Sequence, residues 1–128
     1  MTLVLFSYLS GNSDMHLKNY SLIYLSTGIS LAPAYDLLNT CLVLSEKEDP
    51  EESALSINGK RRKLKIQDFV KFAESLKLRE KQLINVHKRF NAKREQARKL
   101  IEDSVLEDSF KQEYLNLFNT RISLLTGE

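Results

Sequence analysis

Gly11-Asn12-Ser13-Asp14-Met15-His16-Leu17-Lys18-Asn19 runs into residues 20–25, rich in strand formers, then Ser26-Thr27-Gly28, then the apolar residues 29–32. The second half of this run reads as a β-hairpin closed by a short glycine-containing loop. A hairpin returns the chain to its starting point, so Asn19 at its entrance and Asp36 just past its exit are expected to lie close together. Pro33 ends the second strand by withholding a backbone donor and leaves Tyr35-Asp36 in the loop that follows. Charge is scarce here: residues 1–45 carry only Asp14, Lys18 and Asp36 as charged groups. Such a segment is either core with its few charges in loops, or the wall of an active site whose few charges are functional.

Beyond Ser45 the composition changes. Residues 46–52 are polar and contain Pro50, as in a solvated connection. Leu55-Ser56-Ile57 alternates and meets Asn58-Gly59, the pair suited to a type I′ turn, so a second small hairpin is expected. Helical spacing then takes over. Ile66, Phe69, Val70, Ala73 and Leu76 mark one helix, with Gln67 or Asp68 near its start. A longer segment from about Glu80 carries Leu83, Val86, Phe90, Ala97, Leu100 and Ile101, and a last one carries Phe110, Tyr114, Leu117, Phe118, Ile122 and Leu125. The fold class is α+β, mainly helical, with a small β-hairpin component and no second domain or internal repeat.

The 128 residues are 42% hydrophobic, enough for a real core. The net charge of +2 is the small difference between 19 basic and 17 acidic side chains, and does not by itself call for nucleic acid or an acidic membrane. Cys41 is the single cysteine, so no internal disulfide forms and a reducing compartment is the simpler expectation. Leu3-Val4-Leu5-Phe6 is too short to span a bilayer and lacks the basic start of a secretory signal. These features together suggest a cytoplasmic protein without membrane contact.

Asp14 stands five residues before Asn19, the offset of the kinase catalytic loop H-R-D-L-x-x-x-N, in which the aspartate takes a hydroxyl proton and the asparagine holds magnesium. Phosphoryl transfer asks a protein mainly to position groups and neutralise charge, so a base and oxygen ligands for a hard cation are the minimum on this side of the nucleotide. Asp14 is the candidate base, Asn19 and Asp36 the candidate ligands of Mg2+ and ATP. Asp36 takes the place of the D-F-G aspartate, although Leu37-Leu38 follow it, which leaves no phenylalanine to flip. Lys18 is a candidate for neutralising the transferred phosphoryl group, or else a solvated charge. His16 is a candidate for fixing the loop by hydrogen bonding rather than for moving a proton.

Residues 11–21, Leu31-Ala32-Pro33-Ala34-Tyr35-Asp36-Leu37-Leu38 and Ala54-Leu55-Ser56-Ile57-Asn58-Gly59-Lys60 together resemble the HipA family of bacterial serine/threonine kinase toxins. The likeness is strongest over residues 3–75 and includes the family pattern N-x-D-x-H-x-K-N, which carries His16 and Lys18. It implies the carboxy-terminal lobe of a protein-kinase-like fold, with the hairpin between catalytic loop and metal-binding aspartate. It also implies aminoacyl-tRNA synthetases as substrates and a helix-turn-helix antitoxin of HipB type as partner, with DNA reached only through that antitoxin.

The glycines are Gly11, Gly28, Gly59 and Gly127, so no G-x-G-x-x-G loop covers the phosphates, and no strand carries a V-A-I-K-type lysine. A complete kinase needs about twice this length, given ordinary domains of roughly 100–200 residues. The expectation is a single partial domain over residues 1–128, without the ATP-binding amino-terminal portion and inactive alone. Two other readings compete. Asp14, His16 and Asp36 could serve a metal-dependent phosphohydrolase, which leaves Asn19 unexplained. A non-catalytic interaction module could use the basic run 60–65 against phosphates, or self-associate through apolar surface, although such runs are commonly solvated.

Overall fold

The computed structural model describes residues 1–44, 47, 48 and 50–126. The expectation of a solvated connection over residues 46–52 falls partly on Glu46 and Asp49, outside the described residues. In chain order the helices are α1 (Thr2–Ser10), α2 (Ile66–Ser75), α3 (Glu80–Ala92), α4 (Arg94–Glu102) and α5 (Asp108–Thr126). The strands β1 (Leu22–Leu25) and β2 (Gly28–Leu31) lie between α1 and α2, with short 3-10 turns at Leu17–Asn19 and Thr40–Leu42. The fold is therefore mainly helical α+β.

α1 is a helix that sequence reading left unassigned. It carries no charge and buries Leu5, Ser7, Tyr8 and Leu9, so burial rather than an amphipathic stripe sustains it. Gly11 stops it at φ 78°, with the Gly11 N–H on the Tyr8 carbonyl at 3.3 Å and the Asn12 N–H on the Ser7 carbonyl at 2.9 Å. These are the two bonds of a Schellman stop, and they aim the chain directly into residues 12–19. A Cβ on Gly11 would collide with Asn39 Oδ1. Gly11→Ala thus combines a left-handed backbone with a clash, and is expected to lower stability by about 1–3 kcal/mol, read as a reduced urea midpoint.

The core gathers α1, α2, α3, α4 and α5 around Leu5, Phe69, Ile57 and Ile122, all essentially inaccessible to solvent. Tyr8 and Phe69 stack at 5.0 Å between ring centroids, tilted by 55°. Arg121 on α5 is buried, places its guanidinium 4.7 Å from the Tyr8 ring centre, and donates to the Tyr8 carbonyl at 2.5 Å and toward Cys41 Sγ at 3.6 Å. One cation thereby ties the last helix to the end of α1 and to the segment after Asp36. Burial, followed by the nearby Glu52 charge, pushes the Tyr8 hydroxyl up to about 12, so that ring stays neutral.

Three expectations need correction. The first hairpin forms with Leu22 opposite Leu31 and Leu25 opposite Gly28, so its loop is Ser26-Thr27 alone and Gly28 already belongs to β2. Neither loop residue has positive φ; Gly28, at 128°, absorbs the twist that a primed turn would place inside the loop. The second hairpin shrinks to one bridge. Asn58 and Gly59 adopt φ 51° and 77°, as a type I′ turn requires, but among the described residues only Ile57 and Lys60 pair across it. The long helical segment from Glu80 breaks at Lys93, where φ −101° and ψ 2° separate α3 from α4. No glycine or proline marks that break; packing of both helices on α5 decides it.

Asp68 organises the region after the turn. Its carboxylate accepts from Asn58 Nδ2 at 2.8 Å, from Lys60 Nζ at 3.2 Å and from the Lys65 N–H at 3.0 Å, the last capping α2. The bonds from Asn58 and Lys60 lead in holding this carboxyl down at about 2. A carboxyl depressed on folding adds stability above its unfolded value of 3.8 and loses it as pH falls toward 2. Asp68→Asn should therefore flatten the fall in urea midpoint between pH 4 and pH 2, relative to the parent chain.

The hairpin buries neither face. Leu22, Tyr24, Ile29 and Leu31 are 59%, 79%, 64% and 50% exposed, and Leu17, Leu37, Leu38 and Val43 nearby are also exposed. Among the described residues no helix is long and apolar enough to cross a membrane.

Candidate active site

Residues 12–19 form a self-bonded loop. The Asp14 N–H donates to Asn12 Oδ1 at 3.1 Å, the His16 N–H to the Asp14 carbonyl at 2.8 Å, and the Asn19 N–H to the His16 carbonyl at 2.9 Å. Asn12 is 2% exposed, and its amide nitrogen reaches the Asp36 carbonyl at 3.2 Å. Asn19, also buried, donates from Nδ2 to Asp36 Oδ2 at 3.0 Å and to the Asp14 carbonyl at 3.3 Å. Two asparagines thus clamp the loop bearing Asp14 to the loop bearing Asp36. Asp36 sits at φ 55°, a conformation that aspartate tolerates better than most residues and that these bonds hold in place.

The rest of the frame is polar and short-range. Thr40 Oγ1 donates to the Gly11 carbonyl at 3.0 Å and receives the Ser13 N–H at 2.9 Å, while the Cys41 N–H also bonds the Gly11 carbonyl at 3.2 Å. Tyr35 donates to the Lys18 carbonyl at 3.1 Å and shares a hydrogen with Ser21 Oγ at 2.7 Å. The hairpin's return is closed by the Ala32 N–H on the Ser21 carbonyl at 2.8 Å.

Four of the five candidate residues meet. His16 Nε2 lies 3.0 Å from Asp14 Oδ1, and with 57% of the Asp14 side chain exposed, that carboxylate remains open to an approaching hydroxyl. Asn19 and Asp36 are in direct contact. Lys18 is the exception: its carbonyl is bound by Tyr35, but its side chain is solvent-exposed and bonds none of the other four. Sequence reasoning missed Asn12, Thr40 and Tyr35 as parts of the frame. Asn12, two residues before Asp14, carried an Asx-turn signal; Thr40 carried none, because its partners lie 27 and 29 residues away.

Among the described residues no three His, Cys, Asp or Glu side chains gather as a metal-binding group. Magnesium seldom needs such a group, since it is commonly held by one or two protein oxygens together with substrate phosphates and water. A carboxylate and an amide oxygen are of the kinds that donor set uses; here Asn19 turns its Nδ2, not its oxygen, toward Asp36 and the Asp14 carbonyl.

A helical lobe in which a hairpin joins an Asp-x-x-x-x-Asn loop to a second aspartate defines a protein-kinase-like carboxy-terminal lobe. The profile of the HipA-like C-terminal domain matches residues 1–106, and the chain belongs to that family. It is 41% identical over 83 residues to the inferred kinase Y4dM of Sinorhizobium fredii, a stretch that is 64% of this chain and 20% of that protein. Its fold matches HipA of Shewanella oneidensis MR-1, solved with HipB and its operator DNA, with a TM-score of 0.80 at 22% identity over 98% of this chain. The chain covers 30% of that HipA chain, and so spans a minor part of both proteins.

Proposed function

We propose that this chain is the catalytic-loop portion of a HipA-like serine/threonine kinase, transferring the ATP γ-phosphoryl group to a protein serine. The observation that carries the reading is the direct Asn19–Asp36 contact beside an accessible Asp14. Asp14 accepts the proton of the substrate hydroxyl, and His16 orients the carboxylate by holding one of its oxygens. Asn19 and Asp36 supply neutral and anionic oxygens to a magnesium ion. That ion, bound with ATP, offsets the charge of the phosphates. Lys18, exposed beside the loop, would be available to neutralise the transferred phosphoryl group.

The family resemblance supports an aminoacyl-tRNA synthetase as substrate and a HipB-type antitoxin as partner in a cytoplasmic toxin–antitoxin pair. These 128 residues hold no glycine-rich loop and no V-A-I-K-type lysine, so the chain alone is expected to turn over no ATP. Radiolabel transfer from γ-labelled ATP to synthetase tests this: no transfer by the chain alone, and magnesium-dependent transfer when it is joined to the remaining kinase sequence. Magnesium-dependent turnover by the chain alone, or none by the joined protein, would contradict it.

We further propose self-association through the hairpin surface, a reading supported by its exposed leucines and isoleucines. Light scattering should show mass rising with concentration, and Leu22→Lys with Ile29→Lys should restore a monomer.

A further inference from the structure

A cavity of about 640 Å³ lies among α1, α3, α4 and α5, on residues that take no part in the Asp14, Asn19 and Asp36 arrangement. We propose that it binds a small apolar carboxylate of the medium-chain fatty-acid type, tail inward, with its head group between Arg89 and Lys93. The hollow opens to solvent, and its volume falls within the roughly 300–1,000 Å³ of ligand pockets. Phe90, Ala97, Ile101 and Phe118 make its walls apolar, and the exposed Phe6 and Leu100 extend that character to the mouth.

Charge selects the ligand class. Among the described residues Arg89 and Lys93 are the only charged ones lining the cavity, and no aspartate or glutamate lines it. Arg89 lies in the last turn of α3 and Lys93 at the break that follows it, so both cations line the same end of the hollow. Neither forms an ion pair with a carboxylate among the described residues, and the Lys93 ammonium bonds only the neutral Gln96 Oε1, at 3.0 Å. An apolar hollow with paired cations at its mouth complements a single-chain anion. A cationic amphiphile of equal length would meet repulsion there.

The test uses decanoate and decyltrimethylammonium as probes on this chain, read by the methyl resonances of Ala97 and Ile101. Decanoate should give saturable shifts confined to the cavity, and the cationic probe should bind at least tenfold more weakly. Arg89→Glu combined with Lys93→Glu should reverse that order. Both side chains are exposed, so the helical circular dichroism should stay unchanged. Ala97→Phe should remove binding of either probe by filling the hollow. Equal affinity for the two probes, decanoate shifts that never saturate, or undiminished decanoate binding by the double variant would each overturn the assignment.

Discussion

Asp14→Asn, in a polypeptide joining this chain to the rest of a HipA-type kinase, is expected to lower kcat by about 10²–10⁴-fold, the usual contribution of a positioned general base. The substitution is clean because of how the loop is built. Asp14 bonds Asn12 through its own N–H, and His16 and Asn19 through its carbonyl, so a side chain of the same shape leaves those three bonds in place. Only the His16 contact at 3.0 Å uses the carboxylate. Nucleotide affinity should therefore stay within about twofold, since Asp14 is not a proposed metal ligand. Asp36→Asn should behave differently, weakening magnesium-dependent nucleotide binding as well as turnover. Phosphoryl transfer measured against ATP concentration separates the two, and full turnover by Asp14→Asn would show that the base is assigned to the wrong residue.

Phe69→Ala is expected to cost about 3–5 kcal/mol, a large share of the roughly 5–15 kcal/mol that holds an ordinary domain together. Phe69 is completely buried, and its ring supports Tyr8 at 5.0 Å. Tyr8 in turn lies under the Arg121 guanidinium, and its carbonyl accepts from both Arg121 and Gly11. A cavity at Phe69 would therefore loosen the helix stop that aims residues 12–19, as well as remove apolar burial. Urea unfolding should show the lowered midpoint, with Phe69→Leu falling between parent and alanine variant because it refills part of the space. A change below about 1 kcal/mol would mean that α2 contributes little to the core.

The candidate site was legible in the sequence because its parts are local. Asn19 and Asp36 are 17 residues apart with a hairpin between them, and strand-forming composition, a glycine and Pro33 all announced that return. The Asn58-Gly59 turn was equally readable, since both residues tolerate left-handed backbone. The extent of pairing beyond it was not, because Glu52 and Ser53 bond the Arg61 carbonyl without extending a strand. α1 was hidden for a different reason: a helix apolar on all sides has no periodic contrast to detect. The break at Lys93 and the buried Arg121 were also out of reach. The break is set by packing of α3 and α4 against α5, and the Arg121–Tyr8 bond spans 113 residues.

The pairing of Asn19 with Asp36 as the magnesium end of a phosphoryl-transfer site is tested most directly by titrating Mn2+ with ATP into a labelled polypeptide joining this chain to the rest of a HipA-type kinase and following paramagnetic broadening. The Asn19 side-chain amide and the Asp36 backbone amide should broaden first, and Asp36→Ala should abolish that selectivity while leaving the Asp14 loop folded. Broadening centred on other residues, or unchanged by Asp36→Ala, would contradict the assignment.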